Sequence, residues 1–200
     1  MIKIHPTADV SEKSKIGEGT LIWHQAQVRE GTNIGKNCII GKGVYIDKNV
    51  NIGNNCKFQN YSCVFHGVRV DDGVFVGPGT LILNDKYPRA ITIEGKLKSD
   101  TDWEEKKTLI KEGASLGAGS VVLPGIIVGR FALVGAGSVI SKDVLDFALV
   151  YGIPNKQYGW VCKCGERLRI NKKKIIRCLK CKLRYKFVRL NNQKIVIQEE

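Results

Sequence analysis

The 200-residue sequence predicts an all-β protein: a left-handed parallel β-helix with an inserted loop and a small C-terminal zinc-ribbon-like module. Three observations carry this prediction. Aliphatic residues recur every six positions, glycine is abundant (22 residues against five prolines), and four of the seven cysteines crowd the last fifth of the chain. The net charge of +13 divides unevenly: residues 1–150 hold 18 Lys/Arg and 16 Asp/Glu, whereas residues 151–200 hold 14 and 3. Basicity is thus a property of the tail and says little about the main body.

The period runs from Ile4 through Val10, Ile16, Ile22, Val28, Ile34, Ile40, Ile46, Ile52, Phe58, Val64, Val70 and Val76 to Ile82. Four residues after each stands a small or β-branched one, as at Ala8, Ser14, Thr20, Ala26, Thr32, Cys38, Val44 and Cys56. A six-residue period fits neither a 3.6-residue helix nor ordinary strands with variable turns. It fits a short extended face followed by a tight corner, where Gly, Asn or Asp supplies the unusual backbone angles. Three faces close a coil of eighteen residues, and coils stack at roughly 4.8 Å. The left-handed path is an exception to the usual right-handed crossover.

The pattern resumes at Ile110, Leu116, Val122, Val128, Val134 and Ile140, with Ile126 the one large residue in a small slot. Between the two runs, residues 84–109 (NDKYPRAITIEGKLKSDTDWEEKKTL) match no hexad. A 26-residue excursion from so tight a repeat is expected to be functional. The domain reading is a β-helix over 1–150 with this insertion, a linker over 151–160 and a four-cysteine module over 161–200.

Residues eighteen apart should lie one above the other. Cys38 and Cys56 then stack as packed core thiols, and His66 lies directly beneath Asn84 on one outer corner. In the tail, Cys162-Lys-Cys164 and Cys178-Leu-Lys-Cys181 form two knuckles, which predicts a closed structural zinc site with no catalytic role, disulfides or free thiols being the alternatives. A module of this size has little core of its own, so a metal staple fits. No apolar run approaches a membrane span, and MIKIHPTADV lacks the features of a secretory signal. Reduced thiols, a cytoplasmic location and no membrane insertion are therefore expected. The basic tail is read as solvated surface, and nucleic acid is not an expected partner.

Over residues 4–150 the hexads resemble the hexapeptide-repeat acyltransferases. The NDKYPRA segment at Asn84–Ala90, the long loop and the closing YGIPNKQYGW resemble the subgroup of nucleotide-sugar 3-N-acetyltransferases. The resemblance implies acetyl-CoA as co-substrate, in a groove between neighbouring subunits of a homotrimer. It also implies a nucleotide-linked 3-amino sugar as acceptor. UDP-2-acetamido-3-amino-2,3-dideoxyglucuronate is the nearest candidate and dTDP-3-amino sugars come next, for surface-polysaccharide (O-antigen, lipopolysaccharide) synthesis. Asn84 matches the subgroup's motif asparagine and His66 lies beneath it; both are candidate catalytic residues, with Asn84 expected to carry the larger share. Its amide cannot act as a base. His66 can, or can orient substrate, and the leaving thiolate is an alternative proton sink.

Arg29, Arg69, Lys86, Tyr87 and Arg89 are candidates for the diphosphate and a uronate carboxylate, and Gly117, Ala118, Gly135, Ala136 and Lys142 for CoA. A non-catalytic trimeric scaffold displaying the zinc module and an O-acetyltransferase of the same fold are the competing readings. The metal-dependent carbonic anhydrases of this fold need converging imidazoles. His24 and His66, 42 residues apart, cannot converge on one metal.

Overall fold

The computed structural model describes residues 1–99, 101–169, 175–190 and 193–198. It is a parallel β-helix with three flat faces. Face A begins at Lys3–Ile4, face B at Asp9–Val10 and face C at Lys15–Ile16. Each strand pairs in parallel with the one a coil later, as in Lys3↔Leu21, Asp9↔Gln27 and Lys15↔Asn33. Across the excursion the step lengthens but the register holds: Leu81 pairs with Val121 and Phe75 with Ser115. The repeat re-enters at the strand Thr108–Ile110, so Thr108 and Leu109, counted with the loop on sequence, belong to the coil.

One inward aliphatic per strand builds the core. Ile40, Ile46, Phe58, Val64, Val76, Ile82, Ile110, Leu116 and Ile140 are all fully buried. Each such side chain contributes about 1.5–3 kcal/mol when removed from water. Ile126 is accommodated and buried too. The small slots at the corners carry hydroxyls with a specific task. Thr20 Oγ1 donates to the Gly35 carbonyl at 2.8 Å, and Thr32 Oγ1 to that of Asp47 at 2.6 Å. These bonds satisfy carbonyls that the tight corner leaves out of the ladders. The stacked Cys38 and Cys56 fill the same kind of slot, each Sγ lying 3.2 Å from a carbonyl of the next coil.

Corners turn through left-handed residues, among them Asn37, Asn49 and Asn55 at φ 56–58°. Glycine can have a different cause. A Cβ at Gly117 would lie 2.5 Å from the Ala136 nitrogen in the coil above. Gly117→Ala is therefore expected to cost about 1–3 kcal/mol through overpacking, read as a lower urea midpoint.

The two ends differ. Among the described residues no coil covers the first, and Ile4 is 43% exposed there. At the other end Ala148–Tyr151 turns back into the antiparallel strand Lys156–Trp160, which leads into the tail. There Ile175–Arg177, Arg184–Leu190 and Gln193–Gln198 form a three-stranded antiparallel sheet. Tyr185, fully buried, meets the ring of Phe147 edge-on at 5.6 Å, so the tail covers the last coil with aromatic surface. Residues 170–174, part of the expected link between the cysteine knuckles, lie outside the described residues. No helix among the described residues is long and apolar enough to cross a membrane.

Candidate active site and cysteine cluster

The edge between faces B and C collects the chemistry. His66 follows the strand Cys63–Val64 and Asn84 follows Leu81–Ile82, and the two strands pair in register. Asn84 Nδ2 lies 3.1 Å from His66 Nδ1. The same Nδ1 is 2.9 Å from Asp47 Oδ2, and the His66 backbone N–H also donates to that oxygen at 3.3 Å. Asp47 stands nineteen positions before His66, one coil below and one residue aside. Sequence reasoning had seen only a corner residue there. The spacing of one coil plus one is the signal that would have found it.

Asp47 is buried and fully satisfied. Its Oδ1 accepts the Tyr45 hydroxyl at 3.0 Å, Arg29 Nη1 at 3.1 Å and the Lys48 backbone N–H at 2.8 Å. Burial pushes its carboxyl up. Hydrogen bonds from His66, the Lys48 amide and Tyr45 outweigh that and hold it below its usual 3.8. The Tyr45 phenol is pushed above its ordinary value by burial and by the Asp47 carboxylate beside it.

An ionised Asp47 requires the proton on His66 Nδ1, which leaves the lone pair on Nε2. No hydrogen bond among the described residues reaches Nε2. With that hydrogen bond given to Asp47, the Asn84 amide stands beside Nδ1 from the coil above. Trp103, from the far end of the excursion, packs edge-on against His66 with ring centroids 4.8 Å apart. The loop thus folds back over its own coil and screens the imidazole. No hexad could have placed Trp103, because the excursion has no repeat.

The remaining expected residues disperse. Arg29 is held by Asp47 and by Glu30, 3.1 and 2.7 Å away, so it supports the acidic side of the site instead of standing open to an anion. Arg69 faces out of face C and pairs with Asp71 at 3.1 Å, beside a cavity of about 590 Å³ lined also by Asn51, Asp72 and Glu112. That cavity holds neither His66 nor Asn84. Lys86 lies over the Tyr87 ring at 5.4 Å, Tyr87 is 72% exposed, and Arg89 donates to the Pro88 carbonyl.

The expected CoA residues do not form one groove in a single chain. Gly117, Ala118, Gly135 and Ala136 follow face-A strands and line the A–B edge. Lys142 follows the face-B strand Val139–Ile140 and stands on the B–C edge above Asn84. At Gly117 and Gly135 the coil above leaves no room for a side chain. His24 and His66 stay apart as expected: His24 stacks on His5 with centroids 3.5 Å apart on the A–B edge, while His66 stands on the B–C edge.

Among the described residues, one group of three or more potential metal ligands lies within bonding reach. The Sγ atoms of Cys162, Cys164, Cys178 and Cys181 all fall within 4.8 Å of one another. Cys162–Cys181 and Cys164–Cys178 are 3.2 and 3.7 Å apart. Four thiolates around a zinc at about 2.3 Å stand about 3.8 Å apart, so the cluster fits that donor set. The Tyr185 hydroxyl donates to Cys162 Sγ at 3.1 Å and accepts the Lys163 backbone N–H at 2.9 Å. The same tyrosine thus orients a ligand and packs on the last coil.

Comparison with known proteins agrees with this architecture. Residues 13–48 match the family described as bacterial transferase hexapeptide (six repeats), and residues 109–142 the hexapeptide repeat of succinyl-transferase. A stretch of 82 residues, 40% of this chain, is 45% identical to 41% of the dTDP-3-amino-3,6-dideoxy-alpha-D-galactopyranose 3-N-acetyltransferase of Aneurinibacillus thermoaerophilus. Another of 85 residues, 42% of the chain, is 34% identical to 39% of the galactoside O-acetyltransferase of Lactococcus lactis. The chain spans about two-fifths of the length of these curated relatives. A variant of the GDP-perosamine N-acetyltransferase of Caulobacter crescentus, solved with CoA and GDP-perosamine, shares the fold. It aligns with a TM-score of 0.53 and 23% identity over 79% of this chain and 56% of that one.

Proposed function

We propose that this chain, a member of the hexapeptide-repeat acetyltransferase family, moves the acetyl group of acetyl-CoA onto the amino group of a nucleotide-linked sugar. The Asp47–His66 pair, whose Nε2 receives no hydrogen bond among the described residues, is the observation that carries this reading. Acetyl-CoA supplies an activated thioester. His66 Nε2 accepts a proton from the amine nitrogen as the new C–N bond forms, and that proton passes to the CoA sulfur as the C–S bond breaks. Asp47 fixes the imidazole tautomer and stabilises its charged form; Arg29 and Tyr45 keep Asp47 ionised. Asn84 holds the ring from the other side and contacts the sugar. Trp103 keeps water from the imidazole.

A 3-amino sugar is the acceptor favoured by the Aneurinibacillus relative and by the Asn84–Ala90 segment. UDP-2-acetamido-3-amino-2,3-dideoxyglucuronate is the specific candidate, with Arg69, Lys86, Tyr87 and Arg89 on the diphosphate and carboxylate. Thiol release from acetyl-CoA is expected with UDP- or dTDP-3-amino sugars. Turnover confined to a galactoside or serine hydroxyl would replace this reading with O-acetylation, which the same pair can also drive.

A homotrimer would complete the site. The A–B edge, with Gly117 and Ala136, and the B–C edge, with His66 and Lys142, flank one face, so only packing between copies brings them together. The outward residues Tyr45, Cys63, Leu81, Val121 and Val139 of face B are apolar and half-buried in the single chain, which suits such packing. Sedimentation is expected to give three times the chain mass, and Leu81→Lys to give monomers without activity. The cysteine cluster is proposed to hold one structural zinc, closed by four protein ligands.

A further inference from the structure

We propose that the tip of the cysteine module is a docking surface for an anionic lipid bilayer. Between residues 163 and 188 the chain carries eleven Lys/Arg and one acid, Glu166, while the β-helix is close to neutral. Among the described residues of the module, Lys163, Arg167, Arg169, Arg177, Lys180, Lys182 and Lys186 are exposed.

The second knuckle adds an apolar point to this field. A tight turn holds it, with Lys182 N–H donating to the Cys178 carbonyl at 3.1 Å and Cys178 N–H to that of Leu183 at 2.8 Å. The turn pushes Leu179 outward, 61% exposed. Cations surround it: Lys180 is adjacent, Lys182 Nζ donates to the Leu179 carbonyl at 2.7 Å, and Arg177 Nε donates to the Lys182 carbonyl at 3.2 Å. A leucine this exposed gains nothing from water. Beside three cations it suits shallow burial among acyl chains, with the ammonium groups at the phosphates.

Nucleic acid would also meet the charge, but it is read through stacking or groove contacts. The module's aromatics are withheld from such contacts, since Tyr185 and Trp160 are buried and Phe187 half-buried. An apolar tip has no role against a phosphate backbone.

The test is co-sedimentation of the full chain, as purified with its metal, with vesicles of mixed phosphatidylglycerol and phosphatidylcholine and with phosphatidylcholine alone. Binding is expected with the anionic vesicles only, weakening as salt rises. Lys180→Ala and Lys182→Ala should each lower it about five-fold, and Leu179→Asp by about ten-fold or more. Metal content and acetyl transfer measured in solution should stay unchanged in these variants. No binding to anionic vesicles would overturn the proposal. So would unaltered binding by Leu179→Asp, or tighter binding to single-stranded RNA than to vesicles.

Discussion

His66→Ala is expected to lower kcat by about 10²–10⁴-fold, the usual range for a lost general base, with little change in the KM for acetyl-CoA. On sequence alone Asn84 carried the larger expected share. The 2.9 Å bond from His66 to a buried carboxylate moves the weight to the imidazole.

Asp47→Asn gives a second reading of the same unit. The asparagine can donate to Nδ1, which moves the ring proton to Nε2 and removes the base, so a comparable loss of kcat is expected without loss of the fold. The native carboxyl is held below 3.8. Its contribution to stability is therefore present above that pH and fades as pH falls through the lower folded value. At neutral pH the variant should be less stable by about 1–3 kcal/mol, and its denaturation midpoint should vary less as pH falls below 3.8. A His66→Ala enzyme with a normal rate would remove the imidazole from the chemistry and leave the leaving thiolate as proton sink.

The other large effect lies in the tail. Chelation, or Cys178→Ser, is expected to unfold the segment from Val161 onward while the coils persist, because so small a module has too little core to fold unaided. Metal analysis of reduced protein should find one zinc per chain. Hydrogen exchange after chelation should rise across Arg184–Leu190 and at Phe147, which loses its contact with Tyr185. Tyr185→Phe keeps that ring contact but deletes the bond to Cys162. A 10–100-fold weaker hold on the metal is expected, the usual cost of losing a ligand's orienting partner. Full-length protein that is folded, reduced and metal-free would overturn the zinc assignment.

Much of the architecture was written in the spacing of side chains. Ile, Val, one Phe and one Leu at every sixth position define which side chains point inward, since a face of two paired residues and a corner of four can be repeated only with that period. The vertical pairing of His66 with Asn84 and of Cys38 with Cys56 followed from the same count. The knuckles of the tail were equally legible, because four thiols at short spacings have few other uses in a small basic module.

Counting stops where the repeat does. Trp103 reaches His66 through a loop without period, and only the folded path of that loop decides the contact. In the linear pattern Asp47 looks like an ordinary corner residue and Arg29 like a side chain open to an anion. Stacking with a one-residue offset turns them into the support of an imidazole. Lys142 seemed to belong with Gly117 and Gly135, yet the registers put it on another edge. Local periodicity therefore determined the coil, because inward and outward alternation depends on neighbours a few residues away. The site was decided by tertiary structure, because its members come from different coils, an aperiodic loop and two edges of the prism.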